Sequence, residues 1–436
     1  MSNPSSARTS AADPRKWWYA IGAIALVGLV IRIAYVLTVG SDINLGADAT
    51  WYQLQAGIVA GGSGYLNPQA LLEGGRVVPT AAFPPLWPGL LALVHLAGPT
   101  SREAFQIAGA CVGTVTVVLT GILGRRVANP AIALVGAAIV ALSPAMIAAD
   151  GSLMSDSLAV ALIVVVAILA STAAEQPSLA RFAMLGGALG LAMLARNDTA
   201  IVGGILACVA VGGARALSTR DRLIRLAVST GIAVLFVAPW AVRNSVRFDA
   251  PVAASTNIGS LLEGANCDTT YRGGRIGMWD AACLLETKRG HRSESEAASA
   301  AVRRGAEFAL DHPARAVLVA PIRVARAFGL WNPLSQAPLE AEETRSEAWQ
   351  IVAWGYALAM LLLATWGFVM LARTDLRRML PLIAMVGGTV AVIVISWGNP
   401  RFRLSAEPAL AIAAATAMVQ IVGNRRRKER AAREDL

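Results

Sequence analysis

Long apolar runs separated by short polar segments dominate the sequence. Ten runs reach or approach the ~20 residues that span a bilayer core, and polar residues bound each of them. They lie roughly at residues 17–39, 103–124, 130–149, 156–174, 181–195, 199–214, 223–241, 348–371, 379–397 and 405–423. Because backbone polar groups in lipid must pair internally, this pattern predicts an all-α polytopic membrane protein with about ten transmembrane helices.

Basic residues follow every second apolar run. If the N-terminus lies inside, the segments after the second, fourth, sixth and eighth runs are cytoplasmic, and each contains arginine. These residues are Arg125, Arg126, Arg181, the arginines of 215–225, Arg373, Arg377 and Arg378. The positive-inside rule supports this orientation. Residues 1–16 are then a disordered cytoplasmic tail, and residues 424–436 are a basic cytoplasmic tail.

The orientation also defines the larger parts of the chain. They are an N-terminal transmembrane module at 17–241 with a first outer loop at 40–102, a large extracytoplasmic loop at 242–347, and C-terminal transmembrane helices at 348–423. One apolar run, Phe83–Gly98, is short and has three prolines near its start. If it crossed the membrane, the later basic loops would fall outside. We therefore predict that it lies in the outer interface or is re-entrant.

Composition agrees with a membrane protein and excludes two other classes. The 436 residues are 56% hydrophobic and 15% charged, with a mean hydropathy of +0.56, whereas soluble domains are about one quarter charged. The net charge of +10 would suit nucleic-acid binding, but the basic residues cluster at the ends of apolar runs. That placement instead sets the orientation of membrane helices.

Two local patterns predict breaks between helices. Residues 181–214 are interrupted by Arg196-Asn197-Asp198, which we interpret as the outer tip of a hairpin. The alternative is one tilted helix, but ~34 residues rising ~1.5 Å each would exceed the bilayer core. In the large loop, 297–310 has the period of an amphipathic helix that ends near His312-Pro313.

Four cysteines fall in two settings. Cys267 and Cys283 share the large outer loop, where an oxidising environment favours a disulfide. Such a bond would stabilise the loop by about 3 kcal/mol in the chain-entropy model. The alternative is two unrelated thiols. Cys111 and Cys208 fall inside apolar runs, and we predict that they are small core residues.

Ionisable residues gather at the predicted outer ends of the helices. They are Asp48, Asp150, Asp156, Arg196, Asp198, Arg243, Arg401, Arg403 and Glu407, with the polar Asn244 beside them. Charged groups retained at a membrane tend to be functional. Arginine binds phosphate through a planar fork of donors, and a nearby carboxylate can accept a proton from an attacking hydroxyl. The set predicts a site for an anionic lipid headgroup.

Structural roles remain open for individual members. Asp156 could be the N-cap of a helix, since Ser155-Asp156-Ser157 opens an apolar run. Arg401 and Arg403 could be interfacial anchors or salt-bridge partners of Glu407. Asp48 could cap a short helix beginning at the next residue.

The chain resembles the GT-C superfamily of membrane glycosyltransferases, in particular glycosyltransferase family 39, which includes protein O-mannosyltransferases and lipid A aminoarabinose transferases. The similar segments are 48–56 (an acidic residue, then Tyr and Ala), 83–88 (Pro-Pro-Leu-aromatic), 186–196 (a Gly-rich helix ending in Arg), 238–244 (Pro-Trp-x-x-Arg-Asn) and 401–408 (Arg-aromatic-Arg before Pro). The chain departs from the pattern at Phe83, where the family often has His, and at Ala195 and Asn197 in its Leu-Thr-Arg-Pro segment.

The resemblance implies a GT-C-like bundle with juxtamembrane helices on its outer face, and roles for particular residues. Asp48 matches the presumed general base, and Asp156 matches a second acidic residue, although Asp150 competes for that position. The implied substrate-binding residues are Tyr52, Arg196, Arg243, Asn244, Arg401 and Arg403. Among them Arg243, with Arg401 and Arg403, would stabilise the leaving lipid phosphate.

The implied activity is that of an inverting glycosyltransferase in the plasma membrane. It would move a hexose or pentose, such as mannose or arabinose, from a polyprenyl-phosphate donor to a glycolipid, cell-wall glycan or protein on the extracytoplasmic face. The resemblance leaves a divalent metal open, because the family includes metal-dependent and metal-independent members. The alternative function is a lipid flippase or transporter, which usually places charge near the midplane of repeated halves.

Overall fold

The computed structural model describes residues 14–248, 250–284, 293–341, 343–374 and 376–434. Over these residues the chain forms α-helices and short 3₁₀ turns. The helices are α1 (Pro14–Thr38), α2 (Ala47–Ala60), α3 (Pro68–Gly74), α4 (Leu86–Leu96), α5 (Arg102–Val127), α6 (Pro130–Leu142), α7 (Pro144–Asp150), α8 (Asp156–Glu175), α9 (Leu179–Ala195), α10 (Thr199–Gly213), α11 (Thr219–Phe248), α12 (Ile258–Ala265), α13 (Asp268–Tyr271), α14 (Glu294–Asp311), α15 (Pro313–Ala327), α16 (Pro333–Ala341), α17 (Glu347–Thr374), α18 (Leu376–Ile395) and α19 (Glu407–Glu434).

Every apolar run predicted from the sequence contains a helix, which confirms the all-helical membrane architecture. Within the described residues, seven helices are long and apolar enough to cross a bilayer, and the bent pair α6–α7 makes eight. The helices α9 and α10 have only 17 and 15 residues and fall short of that length. The number of about ten crossings therefore stays a prediction.

A buried arginine stabilises the bend between α6 and α7. The two helices meet at 58°, because Pro144 has no N–H to bond the carbonyl of Val140. The Arg32 guanidinium replaces that donor: Nη2 lies 3.3 Å from the Val140 carbonyl and Nη1 lies 2.9 Å from that of Ala141. Its Nε donates to Asp150 Oδ2 at 2.7 Å, and both side chains are fully buried.

Two glycines let α5 pack directly against this bend. A Cβ at Gly109 would lie 2.2 Å from the Asp150 carbonyl oxygen, and one at Gly113 would lie 1.9 Å from Asp150 Oδ2. The spacing of four residues places both glycines on one face of α5, as in other close helix contacts in membranes. The position of Asp150 therefore depends on the absence of side chains there.

Helical structure is interrupted at 196–198, between α9 and α10, so the alternative of one long tilted helix is wrong. Arg196 ends α9 in an extended conformation, and a turn leads directly into α10. The break allows α9 to pack closely on α11, where a Cβ at Gly186 would lie 2.2 Å from the Ser229 carbonyl oxygen. The same break brings Arg196 to the first residue of α8.

The two long segments that the sequence predicts to lie outside are largely helical. The amphipathic helix expected at 297–310 is present as α14, and α15 begins directly after it at Pro313. The short apolar run at 83–98 contains α4, whose 11 residues are too few to cross a bilayer core. Whether α4 lies in the interface or is re-entrant stays a prediction. Trp87 anchors it by donating to the Leu153 carbonyl at 2.8 Å.

The four cysteines lie in two kinds of surroundings. A disulfide joins Cys267 and Cys283 in the segment before α14, with a Cα–Cα distance of 6.4 Å. Cys111 and Cys208 are exposed on the outer surfaces of α5 and α10, so their placement in the core was wrong. A thiol behaves as a small hydrophobe, and the lipid-facing surface of a membrane helix accepts it as readily as the core does.

Replacing Gly113 with alanine should destabilise the protein, because the new methyl group would overlap the Asp150 carboxylate that Arg32 holds. Overpacking of this kind costs about 1–3 kcal/mol, so we expect a thermal midpoint in detergent several degrees below wild type. The matched control is Gly22→Ala in α1, where a Cβ would meet no atom within 4 Å. Equal losses in both variants would contradict the close packing of α5 on α7.

Candidate active site

A cluster of acidic and basic side chains surrounds the first residue of α8. The side chain of Asp156 is 3% exposed, and its Oδ1 accepts a hydrogen bond from Arg196 Nη1 at 2.7 Å. The guanidinium of Arg196 also donates twice to Asp198, through Nε at 3.0 Å and Nη2 at 2.8 Å. Each of the three guanidinium nitrogens of Arg196 therefore donates to a carboxylate, and Arg196 joins α8 to the turn that separates α9 from α10.

Two further arginines approach the other oxygen of Asp156. Arg401 Nε lies 3.5 Å from Oδ2, and Arg345 Nη2 lies 4.0 Å from it. Neither contact has hydrogen-bond geometry. Among the described residues, Arg401 Nε and both Nε and Nη2 of Arg345 have no hydrogen-bond partner. On that side the two guanidinium groups contact Asp156 as ion pairs, and these three nitrogens are buried.

Asp48 is the most accessible carboxylate of the cluster. It lies in the first turn of α2 with 41% of its side chain exposed, and its Oδ2 is 3.9 Å from Arg401 Nη1. The protein surrounding this carboxyl desolvates it and raises its pKa, while Arg401 opposes the shift. A carboxylate whose pKa moves toward neutrality is a stronger base than an unperturbed one.

The linker between α16 and α17 also contributes to the cluster. Glu343 Oε1 lies 3.4 Å from Arg401 Nη1, and both carboxylate oxygens accept from Asn399 Nδ2 at 3.1 Å. Thr344 adopts a φ of 64°, and its hydroxyl accepts from the backbone N–H of Gly46 at 2.7 Å. The linker thus fixes the start of α2, and with it Asp48.

Sequence reasoning missed this linker. Glu340, Glu343 and Arg345 belong to a run of charged residues immediately before the apolar α17. Their position in the sequence, next to the start of a helix that could cross the membrane, was the signal that could have identified them. They were hidden because they lie at the end of a long loop, far in sequence from Asp48 and Asp156.

Burial raises the pKa of Glu340 to about 7, against the opposing effect of Arg345. The side chain is almost fully buried, and its Oε2 lies 3.7 Å from Arg345 Nη1. Near neutral pH, Glu340 is therefore partly protonated. Its protonation removes one negative charge beside Arg345 and leaves that guanidinium more available to an anion.

Tyr52 links the first outer loop to the start of α8. Its hydroxyl donates to Ser155 Oγ at 3.2 Å, and its ring lies 4.8 Å from that of Phe83. Burial raises the pKa of Tyr52, so the hydroxyl stays protonated and acts as a donor. The adjacent Leu153 has a φ of 62°, and this left-handed turn directs the chain from α7 into α8.

Some sequence-predicted site residues lie outside the cluster. Arg243 donates to the carbonyls of Tyr65 and Thr80 at 2.7 Å, and its neighbour Asn244 donates to the Val252 carbonyl at 3.4 Å. These two residues fix the outer loops to the end of α11.

Arg403 and Asp150 also lie apart from the cluster. Arg403 pairs with Glu407 at 2.9 Å inside the protein, as the salt-bridge alternative expected. Asp150 pairs with Arg32, whereas Asp156 faces the cluster.

The capping alternatives can be compared with the helix ends. The residue before α8 is Ser155, and its side chain makes no capping hydrogen bond. The helix α2 begins at Ala47, so Asp48 is inside its first turn and does not cap it. Among the described residues, no group of three or more His, Cys, Asp or Glu side chains is arranged to hold a metal ion.

Glu340→Gln should change how stability depends on pH. A carboxyl whose folded pKa is raised stabilises the fold below its unfolded value of 4.5, and this stability is lost as pH rises through about 7. The neutral variant avoids this loss. Above pH ~8 its free energy of unfolding should therefore exceed that of wild type by on the order of 3 kcal/mol or less. Thermal midpoints at pH 5 and pH 8.5 test this, with the exposed Glu307→Gln as control. A difference between variant and wild type that does not change with pH would contradict it.

Comparisons with known proteins place the fold. The model of the dolichyl-phosphate-mannose-protein mannosyltransferase family matches residues 83–242. The Archaeoglobus fulgidus oligosaccharyltransferase with a tethered acceptor peptide superposes with a TM-score of 0.57 at 14% identity, over 94% of this chain and 50% of that one. AglB from the same organism, in complex with an inhibitory peptide and a dolichol-phosphate, gives 0.56 at 13% identity, over 97% of this chain and 52% of that one.

A third structure, ArnT from Cupriavidus metallidurans bound to undecaprenyl phosphate, has a TM-score of 0.46 at 14% identity, over 93% of this chain and 78% of that one. The chain spans about half the length of the two archaeal structures. No curated protein sequence matches it. The archaeal superpositions thus confirm the GT-C-like helical bundle that the sequence predicted.

Proposed function

We propose that the protein is an inverting glycosyltransferase that takes a sugar from a polyprenyl-phosphate donor and transfers it to an extracytoplasmic acceptor. The observation that carries the proposal is an accessible carboxylate, Asp48, that lies 3.9 Å from Arg401. Arg401 and Arg345 both contact Asp156, and each has at least one guanidinium nitrogen without a hydrogen-bond partner among the described residues. The match to a mannosyltransferase family model and the fold shared with AglB, a protein solved with dolichol-phosphate, support a lipid-linked donor.

Asp48 is the proposed general base. Its carboxylate accepts the proton of an acceptor hydroxyl, and the freed oxygen forms a bond to the anomeric carbon of the sugar. The bond from that carbon to the phosphate oxygen breaks, and its electron pair leaves with the polyprenyl phosphate. Because the attack comes from the face opposite the leaving group, the configuration inverts. The accessibility and raised pKa of Asp48 suit this role.

Arg401 and Arg345 are the proposed phosphate ligands. Their ion pairs measure 3.4–4.0 Å, so an incoming phosphate can compete with Asp48, Glu343 and Glu340 for the same guanidinium groups. The phosphate gains negative charge as the sugar leaves, and donors already in place stabilise that charge without rearrangement. Arg196 already donates to Asp156 and Asp198 through all three of its guanidinium nitrogens, so we assign it to positioning Asp156, and Asp156 to positioning the arginines.

The distribution of arginine supports an extracytoplasmic site. The cluster lies at the N-terminal end of α8, whereas Arg126, Arg215, Arg377 and Arg378 lie at the opposite end of the bundle, near the C-terminal end of α8. The positive-inside rule assigns the arginine-rich end to the cytoplasm. The acceptor, a glycolipid, a cell-wall glycan or a protein, would then meet the donor on the outer face of the plasma membrane.

Asp48→Asn should lose at least ~100-fold in turnover, because the amide cannot accept the proton of the acceptor. The measurement is release of polyprenyl phosphate from a panel of polyprenyl-phosphate sugars, with host membranes as acceptor. The matched control is Asp42→Asn, an exposed carboxylate in the same outer segment. Full activity in Asp48→Asn would assign the base elsewhere. Movement of the lipid between leaflets without turnover in wild type would favour the flippase alternative.

Arg345→Gln should weaken donor binding, because a charge-assisted bond to phosphate contributes about 1.5–3 kcal/mol. We expect kcat/KM for the donor to fall on the order of 10- to 100-fold, mainly through KM, and KM for the acceptor to stay constant. Arg345→Lys should recover part of the loss, because it restores the charge without the fork. The control is Arg76→Gln, an exposed arginine of the first outer loop. An unchanged donor KM in Arg345→Gln would contradict the assignment.

A further inference from the structure

A cavity opens at the far end of the bundle from the candidate active site. Its volume is about 430 Å³, and it lies where α5, α8 and α10 end and α18 begins. Its charged lining consists of Arg126, Arg215, Arg377, Arg378 and Glu175. The 20 residues of α8 separate it from Asp156, which corresponds to ~30 Å at ~1.5 Å per residue. The cavity is therefore independent of the proposed transferase site.

The charge of this cavity favours an anion. Of the lining residues that the structure describes, four are arginines and one is a carboxylate, which gives a formal charge of +3. The single acid, Glu175, is paired with Arg126 at 2.8 Å. An arginine that only orients a membrane helix can lie anywhere along its loop, but these four come from three segments of the chain and converge on one cavity. Convergence of this kind indicates a ligand rather than orientation alone.

The floor of the cavity is apolar. Val127, Ala170 and Leu380 form this part of the lining, between the ends of helices that could cross the membrane. The N-terminus of α18 also lies here, and its partial positive charge adds to that of Arg377 and Arg378. A ligand that matches both surfaces has a phosphate next to an apolar portion.

We propose that this cavity binds the phosphate of an anionic phospholipid from the cytoplasmic leaflet, with the headgroup among the arginines and the glycerol end on the apolar floor. A phospholipid and a soluble phosphate both present a negatively charged phosphate group. A lipid supplies it together with apolar surface, whereas a soluble phosphate supplies the charge alone. Clusters of arginine at the cytoplasmic boundary of a membrane protein bind anionic headgroups in this way.

The experiment uses the purified full-length protein in a neutral detergent with dioleoyl phosphatidylglycerol as the probe and dioleoyl phosphatidylcholine as the neutral reference. Native mass spectrometry counts the bound lipids. The triple variant Arg215→Gln, Arg377→Gln, Arg378→Gln should bind phosphatidylglycerol at least ~10-fold more weakly than wild type. The matched control removes three arginines at the same end outside the lining: Arg220→Gln, Arg373→Gln and Arg425→Gln.

The arms separate the outcomes. A loss of phosphatidylglycerol binding confined to the cavity variant, with phosphatidylcholine binding unchanged, supports the proposal. Equal losses in cavity and control variants show a general effect of charge and overturn it, and so does equal binding by wild type and cavity variant. If millimolar inorganic phosphate removes phosphatidylglycerol from wild type, the site takes a soluble anion and the lipid assignment is wrong. A thermal midpoint in detergent equal to that of wild type confirms that the cavity variant folds, so this test does not depend on the transferase proposal.

Discussion

The burial of one carboxylate constrains the whole end of the bundle where α8 begins. Asp156 is almost fully removed from solvent, and an unpaired buried charge of this kind would cost several kcal/mol. Its partners come from three distant segments: Arg196 after α9, Arg345 before α17, and Arg401 in the turn before α19. The arginines of these segments can pair with the Asp156 carboxylate only if α9 ends before Arg196, the α16–α17 linker folds inward, and the last helix begins beside α8. The geometry of the site follows from these conditions.

Asp150 and Asp156 are six residues apart and have opposite roles. Asp150 faces Arg32 inside the bundle, where their pair stabilises the bend of α6–α7 and requires glycine on α5. Asp156 faces the outer end, because the left-handed turn at Leu153 redirects the chain between them. A bend in one helix pair and a turn of a few residues thus place one carboxylate in the scaffold and its near neighbour in the site.

The helices were predictable because an apolar run in lipid can satisfy its backbone only as a helix, and such runs are visible in any single sequence. The positions of Asp48, Asp156, Arg196 and Arg401 in the sequence also predicted that they lie at one depth in the membrane. The structure brings these four residues together. Depth alone does not give the position of a residue around the bundle. For that reason Arg243 shares the depth of the cluster but contacts Tyr65 and Thr80 instead.

The partners of the buried groups were not predictable for the same physical reason. Arg32 looked like one charge inside an apolar run, and nothing local indicated Asp150, more than one hundred residues later. Arg345 and Glu343 required knowledge of how a long outer loop returns to the membrane boundary. Pairings between distant residues depend on tertiary packing, and a single sequence records only the separate members of each pair.

The two ends of the bundle use arginine in different ways. At the outer end each arginine is placed by carboxylates, and the pairs of Arg345 and Arg401 are long enough for another anion to enter. Such groups are oriented before a phosphate arrives, so charge developing on a leaving phosphate meets donors that need little rearrangement. At the opposite end arginines outnumber the carboxylates of the described cavity lining, and no reacting charge has to be matched there. The balance of acid and base, more than the number of arginines, therefore distinguishes the proposed transferase site from the proposed lipid site.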